Sequence, residues 1–285
     1  MNIKEYTDFI RISGAQIDFD ATFFSGQCFR WRKMDDFYIG IVDEKIIFIK
    51  PQDEYTFDIY NCSPDEFKKS LYWYFDLDKD YDQILDRLSK HDIILREAVE
   101  KYRGMRLLNQ EPFECMISFI ISQNNNIKRI QLLIERLCQT FGKKITYKGY
   151  VAWSFPAEDS LFNASIDDFK QLGLGYRAEY IKDAVEKIKN GTVNLNELVD
   201  LDVQEARQVL KSIKGIGDKV ADCILLYSLQ KYNIFPIDRW VRRVLKEFYR
   251  LETKEQIKNF IESFGDLAGY AQLFLFHYIR NNYKN

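Results

Sequence analysis

The chain has 285 residues, 46% of them hydrophobic, with 41 basic against 43 acidic side chains for a net charge of −2. No stretch approaches the ~20 consecutive apolar residues of a membrane-spanning helix, and Met1–Tyr6 lacks a secretory apolar region, so membrane, collagen-like and disordered classes are excluded and a cytoplasmic protein is expected. Five scattered cysteines without a CxxC pair exclude a disulfide framework and a thiolate-ligated iron–sulfur cluster, and two histidines make a histidine metal site improbable, so no metal or cofactor is expected.

The first sixty residues read as strands. Phe29–Trp31, Phe37–Val42, Ile46–Ile49 and Tyr55–Tyr60 are short and rich in β-branched or aromatic residues. Asp35-Asp36, Asp43-Glu44 and Pro51–Glu54 separate them, which suggests an antiparallel meander. Helical signals begin at Ser63-Pro64-Asp65-Glu66, a capping box with proline at the first helical position, followed by Phe67, Leu71 and Phe75 on one face. Asp76–Asp82 opens like a calcium loop. It has Tyr81 where glycine and Arg87 where glutamate are required, so it reads as a solvated acidic turn. Further capping-box spacings at Ser165…Asp168, Asp202…Glu205 and Thr253…Gln256, with stops at Gly142, Gly173 and Gly191, predict helix after helix to the end. A short irregular stretch is expected near residues 145–160.

Charge is unevenly spread. Residues 1–110 carry 16 basic and 21 acidic groups, net −5, whereas residues 204–250 carry 10 and 5, net +5. A basic segment in a mildly acidic protein is a local phosphate-binding patch. Within it, Ile213-Lys214-Gly215-Ile216-Gly217 joins two apolar helices. Its glycines allow positive φ and close approach. The turn and the following helix N-terminus make an anion site suited to a DNA phosphate, although a plain helical hairpin has the same pattern.

Lys219 lies in the first turn of the second helix. The helix dipole and nearby Lys214 both disfavour an ammonium there, leaving free amine for nucleophilic attack. About twenty residues on, Pro236-Ile237-Asp238 opens another helix. Asp238 as N-cap presents a carboxylate able to stabilise an oxocarbenium-like sugar. Each has a plainer reading, phosphate binding for Lys219 and capping for Asp238. Together behind a hairpin they suit cleavage of an N-glycosidic bond.

This arrangement resembles the helix–hairpin–helix DNA glycosylases with the Gly/Pro…Asp signature. Four further patches match the 8-oxoguanine DNA glycosylases, over residues 14–280 or so. In Ser25-Gly26-Gln27-Cys28-Phe29-Arg30-Trp31, the resemblance gives Gly26 the backbone carbonyl that accepts the N7 proton of 8-oxoguanine. Normal guanine has only an acceptor at N7, so one hydrogen bond discriminates. In Ser122–Arg129, the resemblance places Asn124 in the space left by the flipped nucleotide and Arg129 on the opposite cytosine. In Leu172–Tyr180 it makes Tyr176 the wedge beside the orphan base and Arg177 a second cytosine contact. In Tyr270–Phe276 it sets Gln272 on the Watson–Crick edge and Phe276 on one face of the base, with Cys223 on the other. Without it, Cys223 and Phe276 read as core, and Tyr176 is open between core packing after a helix cap and a functional role. One departure is Trp240, where eukaryotic members carry histidine.

The resemblance implies an α+β protein: an N-terminal antiparallel sheet domain over residues 1–75 and a larger all-helical domain over residues 76–285. It implies a monomer that binds double-stranded DNA and excises 8-oxoguanine opposite cytosine, with Lys219 forming a Schiff base and cleaving the strand. The alternatives are an alkylated-base glycosylase of the same fold, against which Lys219 counts, and a DNA-binding module without catalysis.

Overall fold

The computed structural model describes residues 1–283. Six antiparallel strands, β1 (Asn2–Glu5), β2 (Phe9–Ser13), β3 (Arg32–Met34), β4 (Phe37–Val42), β5 (Lys45–Pro51) and β6 (Thr56–Tyr60), form one sheet in the order β1-β2-β6-β5-β4-β3. Asp43 and Glu44, with φ of 49° and 58°, make the tight turn that closes β4 on β5 at Val42↔Lys45. Strands β1 and β2 extend the expected meander beyond β6, and a short helix, α1 (Phe19–Phe24), capped by Asp18, breaks the expected run of strands.

Phe29–Trp31 is not a strand, contrary to expectation; the strand begins at Arg32. The reason is packing. Phe29 meets Phe119 edge-on among the helices, while Trp31 stacks on Phe23 under the sheet at 3.9 Å. A regular strand end would not divide its aromatics between two cores in this way.

After the sheet, α2 (Pro64–Glu66), a π-helical turn (Phe67–Leu71) and α3 (Tyr72–Tyr74) run on as one unit. Then come α4 (Tyr81–Ser89), α5 (Ile93–Lys101), α6 (Pro112–Ser122) and α7 (Ile127–Phe141). Next are α8 (Glu158–Asn163), α9 (Ile166–Gln171), α10 (Arg177–Lys189), α11 (Val203–Lys211) and α12 (Asp218–Ser228). The last three are α13 (Arg239–Tyr249), α14 (Lys254–Glu262) and α15 (Ala268–Asn282). All four expected capping boxes form. Phe67, Leu71 and Phe75 pack beneath the sheet with Ile12, Ile49 and Ile59. The helices from Tyr81 onward share a separate core, into which Ala21 and Phe29 reach.

Two further expectations are corrected. The stretch near 145–160 holds a hairpin, β7 (Lys144–Tyr147) and β8 (Tyr150–Trp153), turned by Lys148 and Gly149 at positive φ. Phe48 of β5 packs on Tyr147 and Tyr150, so burial against the first sheet organises residues whose own signal is weak. The acidic turn is not solvated at its start. Asp76 is fully buried and accepts from Tyr81, Asn109, Tyr232 and Tyr270 at 2.8–3.1 Å. Four donors repay the cost of burying this carboxylate, and through Tyr270 they fix the start of α15.

A second buried polar group on α15 sets a pH dependence. Burial first, then Arg280 and Lys101, push His277 down from 6.5 to about 4. It folds neutral, so its contribution is complete above pH 6.5 and is lost as pH falls towards 4. The loss should approach about 3 kcal/mol, at 1.36 kcal/mol per pKa unit. Urea denaturation across this range, compared with His277→Gln, measures it; equal pH slopes for the two proteins would refute it.

Candidate active site

The hairpin is built around Gly215, at φ 82°, where an added Cβ would stand 2.2 Å from the Tyr180 ring. Both conformation and contact require glycine. Gly215→Ala should therefore cost several kcal/mol, roughly 2–4 from strain and overpacking, and lower the melting temperature; an unchanged melting curve would refute the reading. Gly217, the N-cap of α12, is different. Its Cα faces open space and no side chain caps the helix, so the first N–H groups remain available to an anion.

The basic segment is less positive than its composition. Arg207 pairs with Asp222, Lys211 with Asp218, Arg243 with Glu247 and Lys246 with Glu252. Lys214 lies 2.6 Å from Glu179, which raises its pKa and neutralises its field. Lys214 is thus engaged by a carboxylate and is not a lone cation beside Lys219.

Lys219 points inward. Its Nζ sits 5.1 Å from the centroid of the Phe119 ring, and its charge acts on the buried thiol of Cys223, one turn along α12. Burial pushes that thiol up to about 11, against the opposing pull of Lys219. Phe119 stacks on Tyr227, whose hydroxyl donates to Gln272 Oε1 at 3.2 Å. Lys219, Cys223, Phe119, Tyr227 and Gln272 thus form one contiguous wall. Asp238 caps α13 by accepting from Val241 N at 2.7 Å. Its charge is felt at Cys223, Tyr227 and Arg280.

Gly26, from the N-terminal part of the chain, approaches α15 at Phe276 and Arg280. It has φ 96°, and a Cβ there would lie 3.9 Å from Phe276 and 3.7 Å from Arg280. Its loop is held by Gln27, which donates to the carbonyls of Thr22 and Arg106 and accepts from Leu108 N. Gln110 donates to Gln27 O, and Gln110 N bonds Tyr227 O at 2.8 Å. The chain Gly26–Gln27–Gln110–Tyr227 therefore sets the loop against α12. Gln27, Gln110, Phe119, Tyr227 and Arg280 carry no motif that marks them in the sequence. An amide-rich loop, Asn109-Gln110, just before α6 was the one available signal.

The remaining residues form a second cluster beside the hairpin. Asn124 is exposed at φ 50° in the loop between α6 and α7, and Arg129 is exposed on α7. Tyr176 is 47% exposed, which removes the core-packing reading. Arg177 is buried instead, its guanidinium donating to the carbonyls of Gln123 and Asn124. In this state Arg177 holds the Asn124 loop rather than offering its donors outward. Trp240, in the position noted above, is half-buried with its Nε1 unpartnered among the described residues.

A helical hairpin, a lysine on its second helix and an aspartate capping the helix that follows are the marks of a helix–hairpin–helix base-excision glycosylase. Residues 9–116 match the 8-oxoguanine DNA glycosylase N-terminal domain, and residues 117–266 match the HhH-GPD superfamily of base excision DNA repair proteins. The chain belongs to the 8-oxoguanine DNA glycosylase family. The N-glycosylase/DNA lyase of Arabidopsis thaliana is 29% identical over 94% of this chain and 78% of its own length. That of Saccharomyces cerevisiae is 33% identical over 81% and 68%. The Clostridium acetobutylicum 8-oxoguanine glycosylase/lyase, solved with DNA carrying cytosine opposite 8-oxoguanine, is 39% identical over 99% of this chain and 98% of that one, at a TM-score of 0.94.

Proposed function

We propose that this protein excises 8-oxoguanine from double-stranded DNA and cleaves the strand at the resulting site, in base excision repair. The single observation that carries the reading is the convergence of Lys219, Cys223, Gln272, Asp238, Phe276 and Gly26 on one cleft, from four separate parts of the chain.

The lesion nucleotide leaves the stack and its base enters between Phe276 and Cys223. Gln272, oriented by Tyr227, reads the Watson–Crick edge, and the Gly26 carbonyl accepts the N7 proton. Lys219 Nζ then attacks C1′. The C1′–N9 bond breaks and its electron pair leaves with the base, which gains a proton. Asp238 stabilises the positive charge that develops on the sugar. Loss of a proton and ring opening give a Schiff base. Removal of a C2′ proton then expels the 3′ phosphate. No step calls for a metal or organic cofactor.

Gly215 and Gly217 hold the backbone phosphate. Asn124 and Tyr176 fill the space opened by flipping, and Arg129 contacts the opposite cytosine, joined by Arg177 if it leaves its carbonyl partners. The enzyme acts as a monomer in the cytoplasm, a reading supported by a cleft assembled within one chain. No helix among the described residues is long and apolar enough to cross a membrane.

Single-turnover excision from duplexes with each base opposite 8-oxoguanine tests the reading. Cytosine should be preferred, and Arg129→Ala should reduce that preference by about 1–3 kcal/mol, the worth of one good base contact. Equal rates on all four duplexes would remove Arg129 from this role.

A further inference from the structure

Arg280 lies one turn beyond Phe276 on α15, and its guanidinium carbon stands 5.8 Å from that ring. Its Nη1 is 3.7 Å from where a Gly26 Cβ would be. It is therefore at the lip of the base cleft. Among the described residues no hydrogen bond or ion pair engages it, whereas Arg207, Lys211 and Lys214 around the hairpin are each paired with a carboxylate. Burial makes its charge costly, and Asp238 is the one carboxylate that opposes the effect, at a distance beyond an ion pair. A half-buried guanidinium with five donors and no acceptor is costly unless something anionic arrives. The neighbouring helix offers no substitute from Trp240, since its indole N–H is buried.

We infer that Arg280 binds one of the two phosphates flanking the flipped nucleotide, and so helps hold the sugar between Lys219 and Asp238. This rests on the reading of the site as a DNA glycosylase. A phosphate is the anion that must come within reach when C1′ approaches Lys219, and the guanidinium fork matches its oxygens. It would also neutralise Arg280 without drawing on Asp238, leaving that carboxylate free for the sugar.

The test combines Arg280→Gln and Arg280→Lys with duplexes in which a neutral methylphosphonate replaces the phosphate 5′ or 3′ of 8-oxoguanine, one at a time. On natural DNA, Arg280→Gln should bind about tenfold to a hundredfold more weakly, as for loss of a charged hydrogen bond, and Arg280→Lys should recover part of this. The salt dependence of binding should fall by about one phosphate contact in Arg280→Gln. On one methylphosphonate duplex the wild type should weaken similarly and Arg280→Gln should add nothing further. Additive losses on both duplexes would overturn the inference. So would a loss confined to 8-oxoguanine over guanine with an unchanged salt slope, which would mean Arg280 touches the base. Melting curves separate a folding defect, in which case Arg280→Lys alone carries the comparison. If wild-type protein excises no 8-oxoguanine, the reading of the site fails; if it does and the losses are additive, only the role of Arg280 fails.

Discussion

Replacing Lys219 with glutamine should abolish strand cleavage and covalent capture while leaving lesion binding nearly intact. The amine is the only nucleophile on the wall formed by Phe119, Cys223 and Tyr227, and Cys223 is held as a thiol by burial. Glutamine keeps the length and can still hydrogen-bond, but it cannot form an imine. We expect excision to fall by at least about 10³-fold, a scale usual for removal of a covalent catalyst. Binding to DNA with a stable abasic analogue should change by less than about tenfold, because Gly215, Gly217 and the α12 N-terminus remain. Gel-based cleavage and fluorescence titration measure the two separately. Loss of binding with retained turnover would assign Lys219 to phosphate instead.

Asp238 has two duties, and two substitutions separate them. As N-cap it satisfies Val241 N. Asparagine caps about as well as aspartate, whereas alanine costs ~1 kcal/mol of helix stability. Asp238→Asn should therefore melt close to wild type, and Asp238→Ala several degrees lower. Both should lose about 10²–10³-fold in base excision, since the negative charge facing the sugar is gone in each. If Asp238→Asn retains full activity, the residue is a cap and nothing more.

Much of this site was legible because its chemistry sits on local signals. The Gly215–Gly217 turn, the cap at Asp238 and the i, i+4 pair Gln272 and Phe276 are all short-range patterns, and each occupies the place its pattern implied. The resemblance supplied what spacing could not, namely the proposal that Gly26, over a hundred residues from Lys219, serves the same base; in the structure Gly26 does approach Phe276. What stayed hidden was long-range. Gln27 and Gln110 are unremarkable amides until folding stacks their loops, and Asp76 reads as a surface acid until Tyr232 and Tyr270 arrive. The departure of Phe29–Trp31 from strand geometry has the same origin, because it is set by two cores rather than by the residues between them. Arg177 shows a further limit. The resemblance implies a DNA contact for it, yet in the free protein its guanidinium donates to the carbonyls of the Asn124 loop.

The most direct test of the account is borohydride trapping of the wild-type protein on three duplexes, carrying 8-oxoguanine, undamaged guanine or 3-methyladenine at one position. A covalent protein–DNA band is expected with 8-oxoguanine alone, mapped by peptide mass to Lys219. A band with 3-methyladenine instead, or alkali-labile sites without any covalent band, would contradict it.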